Sequence, residues 1–190
     1  MTQDSDYKLR LATLQDAKAV QDIEYEATSK FQSIPELAHL ASGDSATVSE
    51  AALADWMKNG RVWLAVHQDT AVGVIAALPM DTAIYVAEIS VMNGHDGKGL
   101  GGKLLNAVFD WAREEAQSKG GDARVSLTCY ADVPWNGPWY RRKGFAEVDT
   151  ATIGPKHVAK MERDEHVRKL PQPWYRRCCM LRTENVACMS

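Results

Sequence analysis

The stretch Glu88–Trp111, EISVMNGHDGKGLGGKLLNAVFDW, constrains this chain more than any other, because strand, glycine loop and helix follow one another without a gap. Residues 84–92 are rich in β-branched and aromatic types, and the run breaks at Asn93-Gly94. Gly97, Gly99, Gly101 and Gly102 then fall within six positions, and Leu100, Leu104, Val108 and Trp111 recur at helical spacing. The glycines therefore sit at a helix start. There the backbone N–H groups can converge on an anion with no Cβ in the way, and the helix dipole favours negative charge at the same place. The stretch is built to hold a phosphate.

A tight turn with glycines for packing is the plainest alternative, but turns seldom need four glycines in six residues. Two phosphate loops of known spacing also come close. Gly97-x-Gly99-x-x-Gly102 matches the dinucleotide fingerprint, and Gly97-x4-Gly102-Lys103 nearly matches the nucleotide triphosphate loop. The triphosphate loop needs a Ser or Thr after its lysine, and Leu104 stands there. The dinucleotide fold needs an acidic residue ending the next strand. Asp122 precedes that strand and Asp132 follows it too late.

A third pattern fits better. Glu88-Ile89-Ser90-Val91 followed by Asp96-Gly97-Lys98-Gly99-Leu100-Gly101-Gly102-Lys103 resembles the acyl-CoA motif of the GNAT N-acyltransferase superfamily, a hydrophobic strand, a Pro, then R/Q-x-x-G-x-G/A. The resemblance implies that these residues bind acetyl-CoA, with the loop amides on its pyrophosphate. Asn93 stands where Pro is usual and Asp96 where Arg or Gln is usual. A carboxylate about 6 Å from a diphosphate costs on the order of 1 kcal/mol, so Asp96 is expected to cap the helix or pair with Lys98.

A second run, Asp132-Val-Pro-Trp135-Asn136-Gly-Pro-Trp139-Tyr140-Arg-Arg-Lys-Gly144-Phe145, follows the next strand. It resembles the Asn…Tyr-x-x-x-Gly-Phe motif of the same family. The resemblance implies that Asn136 contacts the pantetheine arm and that Tyr140 stands near the CoA sulfur as general acid. Trp135 and Trp139 read as packing residues that also line the acyl tunnel. A lone tyrosine is more often a packed amphipathic ring, and here the motif reverses that preference.

Amide formation from a thioester and an amine needs a neutral amine, a stabilised oxyanion and a protonated leaving thiolate. Glu88 is the candidate base, since burial raises a carboxyl's pKa towards neutrality. A solvated glutamate on a strand's polar face is the alternative. A backbone N–H near Val91 would meet the oxyanion. The acceptor site of the family lies between the first helices and the far side of the sheet, which nominates Glu24, Tyr25, Phe31, Tyr85 and Trp174 as substrate contacts. Glu24 and Glu26 suit a cationic amine, although a charged helix face is commonly just solvated.

Composition sets the outer limits. The 190 residues suffice for one well-buried core, and no composition break divides them, so one GNAT-like domain over residues 1–190 is expected. Hydrophobic residues at 45% are ordinary for a globular chain, and the formal charge of -3 argues against a general nucleic-acid binder and for a small molecule as partner, which the family resemblance implies is an amine. No apolar run reaches the length of a membrane span and the start has no apolar signal core, which points to a soluble cytoplasmic protein. Cys129, Cys178, Cys179 and Cys188 form no metal pattern and read as reduced thiols, and the five histidines form no H-x-x-x-H pair, so no metal is expected. Homodimers are common in the family, but no interface signature is legible.

Taken in order, Tyr7–Ala12 alternates as a strand, and Thr13-Leu-Gln-Asp16 makes a capping box for a helix towards Ser29, with Ala17, Val20, Ile23 and Ala27 inward. Gly43–Thr47 reads as a loop, and Ser49 or Thr47 caps a second helix carrying Leu53, Trp56 and Met57. Strands follow over residues 62–67, 72–78 and 82–92, with short antiparallel connections at Gln68-Asp69 and Pro79–Asp81. Gly120-Gly121 stops the central helix, residues 125–130 form a further strand, residues 156–169 a charged helix on the sheet edge, and residues 176–181 the last strand of a closing hairpin. The fold class is α/β, a mixed and mostly antiparallel sheet flanked by helices, with a central βαβ unit at the acyl-CoA site.

Overall fold

The computed structural model describes residues 7–41, 47–168 and 175–186. Seven strands, β1 (Lys8–Leu11), β2 (Arg61–His67), β3 (Thr70–Met80), β4 (Ala83–Val91), β5 (Ala123–Tyr130), β6 (Ala146–Val148) and β7 (Arg177–Glu184), form one mixed sheet in the order β1-β2-β3-β4-β5-β7-β6. The helices are α1 (Ala17–Thr28), α2 (Glu50–Asn59), α3 (Leu100–Lys119), α4 (Gly137–Arg142) and α5 (Pro155–Arg168). No helix among the described residues is long and apolar enough to cross a membrane. The expected α/β class is the observed one. Contacts divide the chain into two compact units, residues 1–78 with 87–107, and residues 79–86 with 108–190.

In the first unit β1 pairs antiparallel with β2, and β2 with β3. Alternation puts Val62 and Leu64 of β2 and Val74 and Ala76 of β3 on one face, where they meet Val20 and Ile23 of α1 and Leu53 of α2. The capping box at Thr13 forms, with Asp16 also held by Arg10, and Ser49 caps α2 by accepting from the Ala52 N–H at 3.2 Å. The start of α3 lies tight on β3, since a Cβ on Gly73 would come within 3.2 Å of Leu104 Cδ1.

In the second unit β4 and β5 pair in parallel over Ile84–Val86 and Val125–Leu127, which fixes the βαβ handover that the glycine loop requires. Two expectations need correction. Residues 79–80 belong to β3, and the turn lies at Asp81, whose φ is +50°. The closing strands are also no hairpin. α5 lies between them in sequence, and β7 pairs with β5 on one side and β6 on the other.

The helix expected to cover a sheet edge is fastened by polar groups instead. His157 of α5 and Ser126 of β5 are 0% exposed, with Ser126 Oγ 2.8 Å from His157 Nε2 and Asp81 Oδ2 2.8 Å from His157 Nδ1. Asp81 also accepts the His157 N–H at 3.0 Å, satisfying a helix N-terminal donor. A Ser-His-Asp chain normally suggests a nucleophile, yet a serine with no exposed surface reaches no substrate. Its physical role is joinery between α5, β5 and the β3–β4 turn.

Candidate acyl-CoA site

The glycine loop has the backbone that its sequence suggested. Gly97 and Gly99 adopt φ of +70° and +78°, a region that costs other residues about 1–2 kcal/mol. A Cβ at either would meet nothing within 4 Å, so backbone conformation rather than crowding requires glycine. The Lys103 N–H donates to Gly99 O at 3.1 Å and opens α3. By helix geometry the preceding amides, Leu100 to Gly102, lack helical acceptors and are available to an anion. Leu100 and Leu104 are buried and anchor this turn, while Lys98 is exposed beside it.

Both departures from the family pattern find partners on α1 and the turn after it. Asp96, expected to cap the helix or pair with Lys98, pairs with Lys30 at 3.1 Å, and the Lys30 ammonium holds its carboxyl below the usual range. Asn93 donates from Nδ2 to Ser29 Oγ at 3.0 Å and to Glu26 O at 3.2 Å, so a side-chain tether fixes the chain where Pro is usual. His95, within the same loop, lies 2.8 Å from the Tyr7 hydroxyl and packs against His67. Its pKa is lowered by burial first and then by Lys98 and His67.

Glu88 is half-buried on β4 and its Oε1 accepts from Ser90 Oγ at 2.7 Å. Ile89, Ser90 and Val91 are half-buried beside it. Glu24, read from sequence as a solvated or substrate-facing carboxylate, is only 4% exposed on the inner face of α1. It accepts the Val48 N–H at 2.5 Å. Burial, and secondarily the Glu88 charge, push its pKa up to about 8. Tyr25 is 63% exposed and lines a cavity of about 400 Å³ with Asp22, Glu26, Ser29, Met92 and Asn93. Phe31 is half-buried in the turn after α1, and Trp174 lies outside the described residues.

The Tyr140 motif belongs to the second unit, and its spacing has a physical reason. α4 ends with Gly144 at φ +84°, the Gly144 N–H donating to Arg141 O at 3.0 Å and the Phe145 N–H to Tyr140 O at 3.2 Å. This double closure needs glycine just after the helix and lets a hydrophobic residue pack back, which is what Tyr-x-x-x-Gly-Phe encodes. The Tyr140 ring, 8% exposed, meets Phe145 and Trp139 edge to face at 5.7 and 4.9 Å. Asn136 stands at the N-terminus of α4, its carbonyl accepting from the Trp139 and Tyr140 N–H groups while its side chain makes no capping bond. Gly137 abuts β5's continuation so closely that a Cβ would lie 2.1 Å from Ala131 O. Tyr85, 3% exposed, bonds its hydroxyl to Thr128 Oγ1 at 2.9 Å.

Residues 28–146, more than half of the chain, match the acetyltransferase (GNAT) family, and the chain belongs to that family. Solved structures with the same fold include the PaiA N-acetyltransferase of Thermoplasma acidophilum in complex with coenzyme A. It is 12% identical with a TM-score of 0.63, over 94% of this chain and 99% of that one. The ribosomal-protein-S18-alanine N-acetyltransferase of Escherichia coli is 15% identical with a TM-score of 0.60, over 93% of each chain. A GNAT acetyltransferase of Elizabethkingia anophelis with acetyl-CoA bound is 15% identical with a TM-score of 0.55, over 95% of this chain and all of that one. Membership of that family makes the class of protein an acyltransferase.

Proposed function

We propose that the protein is an N-acetyltransferase that moves an acetyl group from acetyl-CoA to a primary amine of a small molecule by direct attack. The observation that carries this reading is the α3 N-terminus. Left-handed Gly97 and Gly99 open a set of amides, and the one carboxylate in the loop, Asp96, is committed to Lys30. The donor set suits a diphosphate, with Lys98 and Lys103 adding positive charge. Both units serve one acyltransferase domain in this reading, and the protein works in the cytoplasm.

Glu88 takes a proton from the acceptor ammonium, leaving a lone pair on nitrogen to attack the thioester carbon. A backbone N–H near Val91 receives the developing oxyanion, Tyr140 protonates the departing sulfur, and Asn136 holds the pantetheine arm. No cysteine is required. Cys129 is buried, and its thiol pKa is raised by the hydrogen bond with Cys178 and by burial. The cavity beside Tyr25, with Asp22 and Glu26 in its lining, supports a small cationic amine over a peptide.

Calorimetric titration with acetyl-CoA, with NADH and ATP as controls, tests the cofactor. Saturable binding of acetyl-CoA alone is expected. Thiol release on a panel of small amines and peptide N-termini then tests the acceptor. Turnover of peptides only would transfer the reading to protein amines, and binding without turnover would leave an acyl-CoA-binding module.

A further inference from the structure

Cys129, Cys178 and Cys179 are buried, and the acyl transfer proposed above uses none of them. Two of the three meet. Cys129 of β5 and Cys178 of β7 stand directly opposite each other in the antiparallel ladder, and their sulfurs lie 3.7 Å apart. Two residues along, the Ala131 N–H donates to Arg176 O at 2.8 Å, which makes the Cys129–Cys178 rung another hydrogen-bonded pair. Such pairs hold their Cα atoms about 5.5 Å apart, within the separation that a disulfide spans. The backbone is already at bridging distance, and what remains is side-chain torsion to bring the sulfurs to a bond of about 2 Å.

The surroundings select this pair. Alternation turns Cys179 to the opposite face, where it packs with Ala83 and Ile153, and burial pushes its thiol up to about 12. On the first face Met180 Sδ lies 3.6 Å from Cys129 Sγ, and a thioether accepts a hydrogen bond but holds no proton to give. Cys129 is the thiol that keeps its hydrogen. The hydrogen bond from Cys129 lowers the Cys178 pKa, Arg176 and Arg141 lower it further, and burial and the Glu147 charge oppose them. A thiolate is the form of cysteine that reacts with oxidants.

Cys129 is 2% exposed and Cys178 3%, so an oxidant must be small and must use an opening. The pair stands near the end of the ladder, with the Tyr130–Arg177 and Ala131–Arg176 rungs beyond it. The β6 register stops at Val148–Cys179, short of Cys178. Ladder ends open at far less cost than the whole fold.

We propose that Cys129 and Cys178 form a redox-modification site, a dithiol that hydrogen peroxide converts to a reversible disulfide clasping β7 to β5. In a reducing compartment the pair rests as two thiols. The Cys178 thiolate attacks one peroxide oxygen, so that an S–O bond forms, the O–O bond breaks, and the released hydroxide leaves as water with the proton that Cys178 gave up. The Cys129 sulfur then attacks the Cys178 sulfur. The S–S bond forms, the S–O bond breaks, and the departing hydroxide takes the Cys129 proton as a second water. The two sulfurs lose two electrons in all, and the peroxide oxygens gain them. The bridge joins positions 49 apart and closes a loop that carries α4, β6 and α5.

Peroxide treatment of the folded full chain, then thiol blocking and peptide mapping without reductant, tests the site. The map should show Cys129 joined to Cys178, with the link lost after dithiothreitol. Cys179→Ser should still bridge and Cys178→Ser should not. In Cys129→Ser the Cys178 sulfenic acid has no thiol to meet and should be trapped by dimedone, and Cys129→Ala repeats this should the serine variant misfold. The thermal midpoint of the oxidised chain should lie roughly 5–15 °C above that of the same sample reduced again. Recovery of both thiols unbridged, a bridge to Cys179 or Cys188 instead, or a midpoint unmoved or lowered by bridging overturns the proposal. None of these readouts uses acetyl-CoA or an amine, so the outcome is independent of the acyl-transfer reading.

Discussion

Substituting Glu24 by Gln should make the protein more stable at alkaline pH and leave it nearly unchanged in mild acid. The Glu24 carboxyl is raised from 4.5 to about 8 by burial first and by the Glu88 charge second, with the Val48 N–H pulling the other way. Between those values the folded chain holds a proton that the unfolded chain has released. Stability therefore falls as pH rises through the window, and the loss is complete above about 8. At about 1.4 kcal/mol per pH unit the full effect is bounded near ~5 kcal/mol, and relaxation and solvent screening bring it to a few. Gln is isosteric, still accepts from Val48, and does not titrate. The difference between variant and wild type should thus grow by roughly 2–4 kcal/mol from pH 5.5 to 8.5 in favour of the variant. Asp16, Asp81, Asp96, Glu147 and Glu184, all held low by their partners, do not mask it. Urea unfolding followed by tryptophan fluorescence at three pH values measures it. A difference that stays flat with pH would mean that Glu24 is ionised in the fold, and the reasoning would be wrong.

Lys30→Met should weaken acetyl-CoA binding about fivefold by freeing the Asp96 charge, about 1 kcal/mol in a calorimetric titration, with the gap narrowing in high salt. An unchanged affinity would mean that Asp96 does not face the diphosphate. Tyr140→Phe should lower turnover more than acetyl-CoA affinity, and equal losses would make Tyr140 a binding residue only. Gly99→Ala should destabilise by about 1–2 kcal/mol through its positive φ and also weaken acetyl-CoA; thermal unfolding with and without ligand separates the two effects. His157→Ala strands Asp81 and Ser126 without their shared partner and should cost about 3 kcal/mol in urea, whereas a loss under 1 kcal/mol would mean that water replaces the imidazole.

What was legible in the sequence is what the chain encodes locally. The Gly97–Gly102 cluster announces a helix N-terminus, and Gly144-Phe145 announces the stop of α4, because positive φ values and helix closures are set within a few residues. The partners of Asp96 and Asn93 were not legible. Lys30, Ser29 and the Glu26 carbonyl reach the loop from α1 and its following turn, and no spacing rule connects them. His157 was missed for the same reason. In the sequence it is one more polar residue in a charged helix, and only its bond to Asp81, 76 positions away, shows that it faces inward. Glu24 misled because its neighbours Asp22 and Glu26 do meet solvent, and helical periodicity alone does not say which glutamate a core will tolerate.

The place of β7 in the sheet has a consequence for how the chain is made. β5 and β6 are both synthesised before β7, yet β7 is the strand that lies between them. It starts 29 residues after Val148, and at translation speeds of about 5–20 residues per second the earlier strands wait a few seconds for their partner. During that interval β5 presents a bare hydrogen-bonding edge lined by Val125, Leu127 and Cys129, an open invitation to another nascent chain. Slow codons ahead of β7 would lengthen the wait, and aggregation during expression would rise before any property of the finished protein had changed.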